Sequence, residues 1–229
     1  MMKTGILFFT SCLILTAGVY AAETDYFAKG LSYYQKGEFQ LAAALLEEAK
    51  RAQPRDPNVF FYLGNVYYQL KELDKSIVSF TTGLDLTDKK GPFFYNLGNC
   101  YFLKGNFDFA AEMYAKAAAS DPTLYDSHLN AGNAYYKKGD IANTIIQWET
   151  YLVKYPQTPQ YDNIAKAIAY LKEELVKQAT GGAVAASASQ NELLDEIISD
   201  LDGLLNRTEN VMEVSEKPVD DLTKEDIER

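Results

Sequence analysis

Hydrophobic and small positions recur along this chain with a constant step of 34 residues: Gly30, Gly64, Gly98 and Gly132 keep that spacing, as do Tyr33, Tyr67, Tyr101 and Tyr135. Beside the tyrosines runs a third column, Tyr34, Tyr68, Phe102 and Tyr136. Three columns in register over four copies identify one supersecondary unit repeated, each copy too small to bury its own apolar face. Within a copy the pattern reads as helix, short turn, helix. In the third, Phe93 to Phe102 forms an apolar first helix and Lys104-Gly105-Asn106 a turn. Phe107 to Ala119 follows as the second helix, and Asp121-Pro122 stops it. The period predicts an all-α solenoid held together by nearest-neighbour interfaces rather than by one central core.

The columns assign jobs to residues. Glycine in the first helix lets the paired helix approach, and the small partner in the second helix is Ala42, Ser76, Ala110 or Thr144. Leu46, Phe80, Tyr114 and Trp148 fill the remaining gap, and Pro54, Pro122 and Pro156 close their copies. The second copy departs from this plan: Asp88 stands at the closing proline and Gly83 replaces alanine, which predicts a shorter or looser second helix.

This combination resembles the tetratricopeptide repeat (TPR) family, whose pattern places a large residue, Leu-Gly, Tyr, a turn, Ala, an aromatic, Ala and Pro at set positions. The resemblance covers residues 23 to 157 and implies a right-handed superhelical solenoid of helix-turn-helix repeats. The four repeats are expected at about 23–56, 57–90, 91–124 and 125–157 within a region spanning 22–157. After two helix breaks at Pro156 and Pro159, residues 158–179 read as an amphipathic capping helix with Ile164, Ala167, Ile168 and Leu171 on one side. A Gly/Ala/Ser linker is expected at 180–190 and an acidic amphipathic helix at 191–206. A disordered acidic tail is expected at 207–229.

The N-terminus reads as an address. Met1-Met2-Lys3, the apolar run from Ile6 to Ala17, and Val19-Tyr20-Ala21 fit a signal peptide spanning residues 1–21, and predict export to the periplasm or cell envelope. An uncleaved anchor is the alternative, and it would be the only membrane contact. A reading of Cys12 as a lipidated residue leaves too short an apolar run before it. Cleavage leaves Cys100 as the sole cysteine, which excludes an intrachain disulfide.

Charge adds a further constraint. Residues 190–229 carry 13 Asp and Glu against 4 Lys and Arg, nearly all of the chain's net charge of −10. The repeats are close to neutral and lack the basic footprint of phosphate binding, so neither nucleic acid nor an anionic lipid surface is expected as a partner. No cofactor and no metal is expected, since the single His128 supplies neither a zinc site nor a partnered base. Nucleophile elbow, P-loop and dinucleotide motifs are missing from the sequence, and an enzyme is not expected.

In TPR proteins the inner wall of the superhelix comes from the first helix of each pair. The resemblance therefore puts three rows on that wall: Phe27, Phe61, Tyr95 and Leu129; Leu31, Asn65, Asn99 and Asn133; and Tyr34, Tyr68, Phe102 and Tyr136. An asparagine both donates and accepts, so an asparagine ladder between two aromatic rows suits an extended peptide or a helix of an envelope protein. The matching positions hold no Lys or Arg to clamp a terminal carboxylate, so an internal segment is favoured. The alternative is that these asparagines bond the neighbouring repeat's backbone and the tyrosines are inter-repeat core. Two further readings stay open: self-assembly through the cap or the C-terminal helix, and an accessory solute-binding role beside a transporter. The stripe from Leu193 to Leu205 could also contact the chain's own groove.

Overall fold

The computed structural model describes residues 25–179. The readings of residues 1–21, 180–190, 191–206 and 207–229 lie outside the described residues. Eight helices form four pairs: α1 (Tyr26–Gln35) with α2 (Phe39–Ala52), α3 (Pro57–Gln69) with α4 (Leu73–Leu84), α5 (Gly91–Leu103) with α6 (Phe107–Ser120), and α7 (Asp126–Lys138) with α8 (Ile141–Lys154). A longer helix, α9 (Tyr161–Ala179), follows. Among the described residues there is no strand, and none of the helices is long and apolar enough to cross a membrane.

Local chemistry places the helix ends. Asp25, Asp56 and Asp140 accept from the backbone N–H of Ala28, Asn58 and Asn143, satisfying donors that the first helical turn leaves orphaned. Pro57 occupies the first turn of α3, where its missing N–H costs nothing. The turns inside pairs one, three and four pass through left-handed glycines, Gly37, Gly105 and Gly139. In the second pair Lys71 takes that conformation instead, at φ 61°.

Packing inside a pair is set by glycine and the residue sixteen positions later. A Cβ on Gly30 would lie 2.7 Å from Leu46 Cγ, and one on Gly64 would lie 2.4 Å from the Phe80 ring. On Gly98 it would lie 2.6 Å from Tyr114, and on Gly132 2.3 Å from Trp148. All four large side chains are fully buried. The glycine therefore makes room for the large side chain itself. The small partner has a narrower role, visible where Ser76 Oγ donates to the Gly64 carbonyl at 2.8 Å.

The second pair shows compensation rather than looseness. Its α4 has 12 residues where α2, α6 and α8 have 14, so the helix is shorter. Yet Gly83 is buried, and a Cβ there would lie 2.4 Å from the Phe93 ring. The equivalent positions pair Ala49 with Val59 and Ala117 with Ser127, so the smallest residue faces the largest. A ring at one position and a missing methyl at the other conserve volume, which close-packed interiors demand.

First helices approach one another more closely than second helices do: α1 touches α3 and α3 touches α5, while no pair of second helices meets to the same extent. The array thus curves with α1, α3 and α5 on its inner side. At the far end Ile164, Ala167, Ile168 and Leu171 of α9 join Leu129, Trp148, Tyr151 and Leu152 in one buried cluster. That cluster covers the apolar face that the fourth pair leaves open, at roughly 1.5–3 kcal/mol per buried aliphatic side chain.

Candidate functional site

The inner face of α1, α3 and α5 carries a continuous set of half-buried, uncharged side chains. On α1 these are Phe27, Leu31 and Tyr34; on α3, Tyr62 and Asn65; on α5, Asn96. Tyr62 organises the first half. Its ring meets Phe27 edge-on at 5.7 Å, Tyr34 at 5.8 Å and Phe61 at 5.6 Å, the offset geometry that aromatic quadrupoles favour.

The second half is an amide chain. Asn96 Nδ2 donates to Asn65 Oδ1 at 3.2 Å, linking adjacent repeats, and Asn99 Nδ2 donates to Asn96 Oδ1 at 3.3 Å. The Tyr114 hydroxyl donates to Asn99 Oδ1 at 2.7 Å, and Trp148 Nε1 donates to Asn133 Oδ1 at 3.0 Å. Both donors belong to side chains with no exposed surface, and a buried O–H or N–H without an acceptor is costly. Asn99 and Asn133 therefore hold the large residue of their own repeat. They do not bond the neighbouring repeat's backbone, as the packing alternative expected. Burial also pushes the Tyr114 hydroxyl well above its ordinary pKa, with the nearby Tyr95 and Tyr68 adding to the shift.

Accessibility divides the eleven residues expected on the wall. Phe27, Tyr34, Asn65, Phe102 and Tyr136 are half-buried and Phe61, Tyr68, Tyr95, Asn99, Leu129 and Asn133 are buried. The reason is the next first helix. Phe61 packs on Phe93 at 5.2 Å, Asn130 Nδ2 donates to the Tyr95 hydroxyl at 2.9 Å, and Leu129 lies in the cluster under α9. The first aromatic row is thus inter-repeat packing from the second repeat onward. In the fourth repeat Leu129, Asn130 and Asn133 are all buried, which leaves Tyr136, stacked on Trp148 at 6.1 Å, as its half-buried wall residue.

Tyr62 and Asn96 are the wall residues that the repeat columns did not single out. Each stands three residues before an asparagine of the middle row, on the same helical face, and that spacing is the signal that could have found them. Elsewhere His128 is half-buried, with Nδ1 3.0 Å from Gln147 Oε1. Among the described residues no group of His, Cys, Asp and Glu is placed to hold a metal ion. The Cys100 thiol, fully buried against Ser76 Oγ at 3.1 Å, is pushed up to about 12 by burial.

Comparison with known proteins agrees with this geometry. The tetratricopeptide repeat model matches residues 27–82, and a TPR repeat model matches residues 98–139. The chain belongs to the TPR family. Cell division cycle protein 27 homolog A of Arabidopsis thaliana is 39% identical over 51 residues, which is 22% of this chain. The match spans only 7% of that relative's length. Among solved structures, MamA superposes with a TM-score of 0.59 at 17% identity, over 84% of this chain and 96% of its own. The TPR protein YrrB gives 0.56 at 22% identity, over 62% and 73%. At these identities the structural likeness is one of fold, an all-α TPR superhelix. TPR repeats are in general non-enzymatic protein–protein interaction modules.

Proposed function

We propose that this TPR protein is a non-catalytic adaptor or assembly factor that holds an extended or helical segment of an envelope protein against the inner face of α1, α3 and α5. The observation that carries the reading is the half-exposed, uncharged set Phe27, Tyr34, Tyr62, Asn65 and Asn96, joined by ring contacts and by the hydrogen bond from Asn96 to Asn65 across two repeats. Aromatic rings supply area for apolar or proline side chains, and amides supply backbone hydrogen bonds with little regard to sequence. The printed description of YrrB, a TPR protein with an unusual peptide-binding site, is consistent with a peptide as ligand on this fold. The envelope assignment is supported by the pattern of residues 1–21 alone.

The footprint is smaller than the four-repeat groove expected from the sequence. It leaves out the fourth repeat, where Leu129, Asn130 and Asn133 are buried, and centres on Tyr62. A pool of random 12-residue peptides panned on the purified protein tests it. Enriched peptides are expected to carry an apolar or proline anchor and to lose at least tenfold in affinity on Tyr62→Ala. Enriched peptides that bind the variant as tightly as the wild type would overturn the assignment.

A further inference from the structure

The hydrogen bonds along the inner wall run in one direction. Tyr114 has no exposed surface, and among the described residues its hydroxyl bonds only to Asn99 Oδ1, at 2.7 Å. A hydroxyl that accepted there instead would bury its proton without an acceptor, which closed interiors avoid. The hydroxyl therefore donates, and Asn99 must turn Oδ1 toward Tyr114 and Nδ2 toward Asn96. Trp148, whose indole can only donate, sets Asn133 the same way round in the fourth repeat.

The orientation passes along the chain of amides. Asn96 receives the Asn99 Nδ2 bond on its Oδ1 at 3.3 Å, and its own Nδ2 donates to Asn65 Oδ1 at 3.2 Å. Asn65 ends the chain. Its Oδ1 is engaged by Asn96, while its Nδ2 carries two N–H groups and makes no hydrogen bond among the described residues. Unlike Asn133 Nδ2, it is not shut away from water. Successive bonds of one sense polarise one another, so each amide that accepts on oxygen becomes a stronger donor through nitrogen. An isolated asparagine donates and accepts; this one faces the wall with its donor half.

We infer that Asn65 acts on the ligand as a donor, its Nδ2 bonding a main-chain carbonyl of an extended segment whose adjoining side chain packs among Phe27, Tyr34 and Tyr62. The inference rests on the inner wall being a binding site, and narrows what that site accepts. Inside a helix each carbonyl already accepts from the N–H four residues on, so only the last turn has carbonyls to offer. An extended segment offers them along its whole length and sends alternate side chains to one side. Tyr62 stands one helical turn before Asn65 on the same face, so a carbonyl and a neighbouring side chain can meet both. A carboxylate fits less well: Phe27, Leu31, Tyr34, Tyr62, Asn65 and Asn96 are all uncharged, and a buried carboxylate needs a cation to offset its lost hydration.

Calorimetry with the full chain and a panned peptide free of charged side chains tests the assignment on three variants. Tyr62→Ala reports on the wall, Asn65→Ala on the amide, and Asn65→Asp on its polarity, since aspartate keeps an oxygen for Asn96 Nδ2 and replaces the free N–H groups by a second acceptor. Both substitutions at position 65 are expected to weaken binding about threefold to tenfold, the range of one hydrogen bond, with urea midpoints near that of the wild type. Wild-type binding by Asn65→Asp alone would make the amide an acceptor, and wild-type binding by both variants would remove it from the site. Either result overturns the inference, and a loss on Tyr62→Ala in the same experiment would leave the wall itself standing. Binding that ignores Tyr62 would overturn the wall and the inference together. Placing the helix-favouring residue α-aminoisobutyrate on both sides of the peptide's anchor should weaken binding, and tighter binding would overturn the extended conformation.

Discussion

The indole N–H of Trp148 donates to Asn133 Oδ1 at 3.0 Å. Because the indole can only donate, the amide orientation of Asn133 is fixed, and its Nδ2 is left buried without a partner among the described residues. The same middle row of the wall thus contains a structural asparagine in the fourth repeat and a half-exposed one, Asn65, in the second. Asn133→Ala should destabilise the fold by about 1–3 kcal/mol, the cost of an unsatisfied buried donor plus lost packing. Asn65→Ala should cost well under 1 kcal/mol, since its partner Asn96 stays within reach of water. Denaturant unfolding of both variants checks the split, and equal losses would contradict it.

The glycine column predicts an ordered series. Alanine raises helix propensity by about 1 kcal/mol, but at Gly132 and Gly64 the new methyl meets a fully buried ring at 2.3 and 2.4 Å. Overpacking of about 1–3 kcal/mol outweighs that gain, so Gly132→Ala and Gly64→Ala should lower stability. At Gly30 the nearest atom is Leu46 Cγ at 2.7 Å, and an aliphatic side chain yields more readily than an indole. Gly30→Ala should therefore be the mildest of the three in denaturant titrations.

Lys71 is the one described non-glycine residue with positive φ, where the other three turns use glycine. Its ammonium sits 5.2 Å from the Tyr68 ring centroid, which offsets only part of the backbone cost. Lys71→Gly should raise stability by about 0.5–1 kcal/mol, readable as a higher urea midpoint at unchanged slope. A lower midpoint would mean that the ring contact outweighs the strain.

Two carboxylates give opposite pH signatures. Burial raises the Asp126 pKa, against a lowering contribution from the Tyr151 hydroxyl. The folded state then holds that proton more tightly than the unfolded chain, so the contribution to stability falls as pH rises from the unfolded value through the folded one. Asp126→Asn should accordingly gain on the wild type as pH rises through that range toward 7. For Glu47, burial acts upward but is outweighed by hydrogen bonds from Lys50 and Tyr67, and the pKa is lowered. Its contribution is present above the unfolded value and is lost as pH falls through the folded one. Glu47→Gln should therefore lose stability at pH 7 and match the wild type in acid. Thermal melts between pH 3 and 7 separate the two.

The repeat columns carried most of the fold, because glycine and the large residue sixteen positions on must fit one another and leave a visible period. The same period hid the site. It groups Phe61 with Phe27 and Asn133 with Asn65, yet α5 covers Phe61 and the Trp148 indole claims Asn133. The α1 row stays half-open, with Tyr62 of α3 against Phe27 and Tyr34, and Phe39 of α2 against Tyr34. Exposure depends on what the next helix brings, and a column describes only positions within one repeat. Tyr62 and Asn96 were hidden for the same reason, since their column holds Ala28 and Asn130 as well.

The most direct test of the inner wall places a photo-crosslinking aromatic at Tyr62, with a second at the outward-facing Phe109 as reference, and presents each protein with the peptides enriched by panning. Crosslinking at Tyr62 that an excess of unlabelled peptide abolishes, with none at Phe109, is the result this account predicts. Equal labelling at both positions, or labelling at Tyr62 that survives competition, would contradict it.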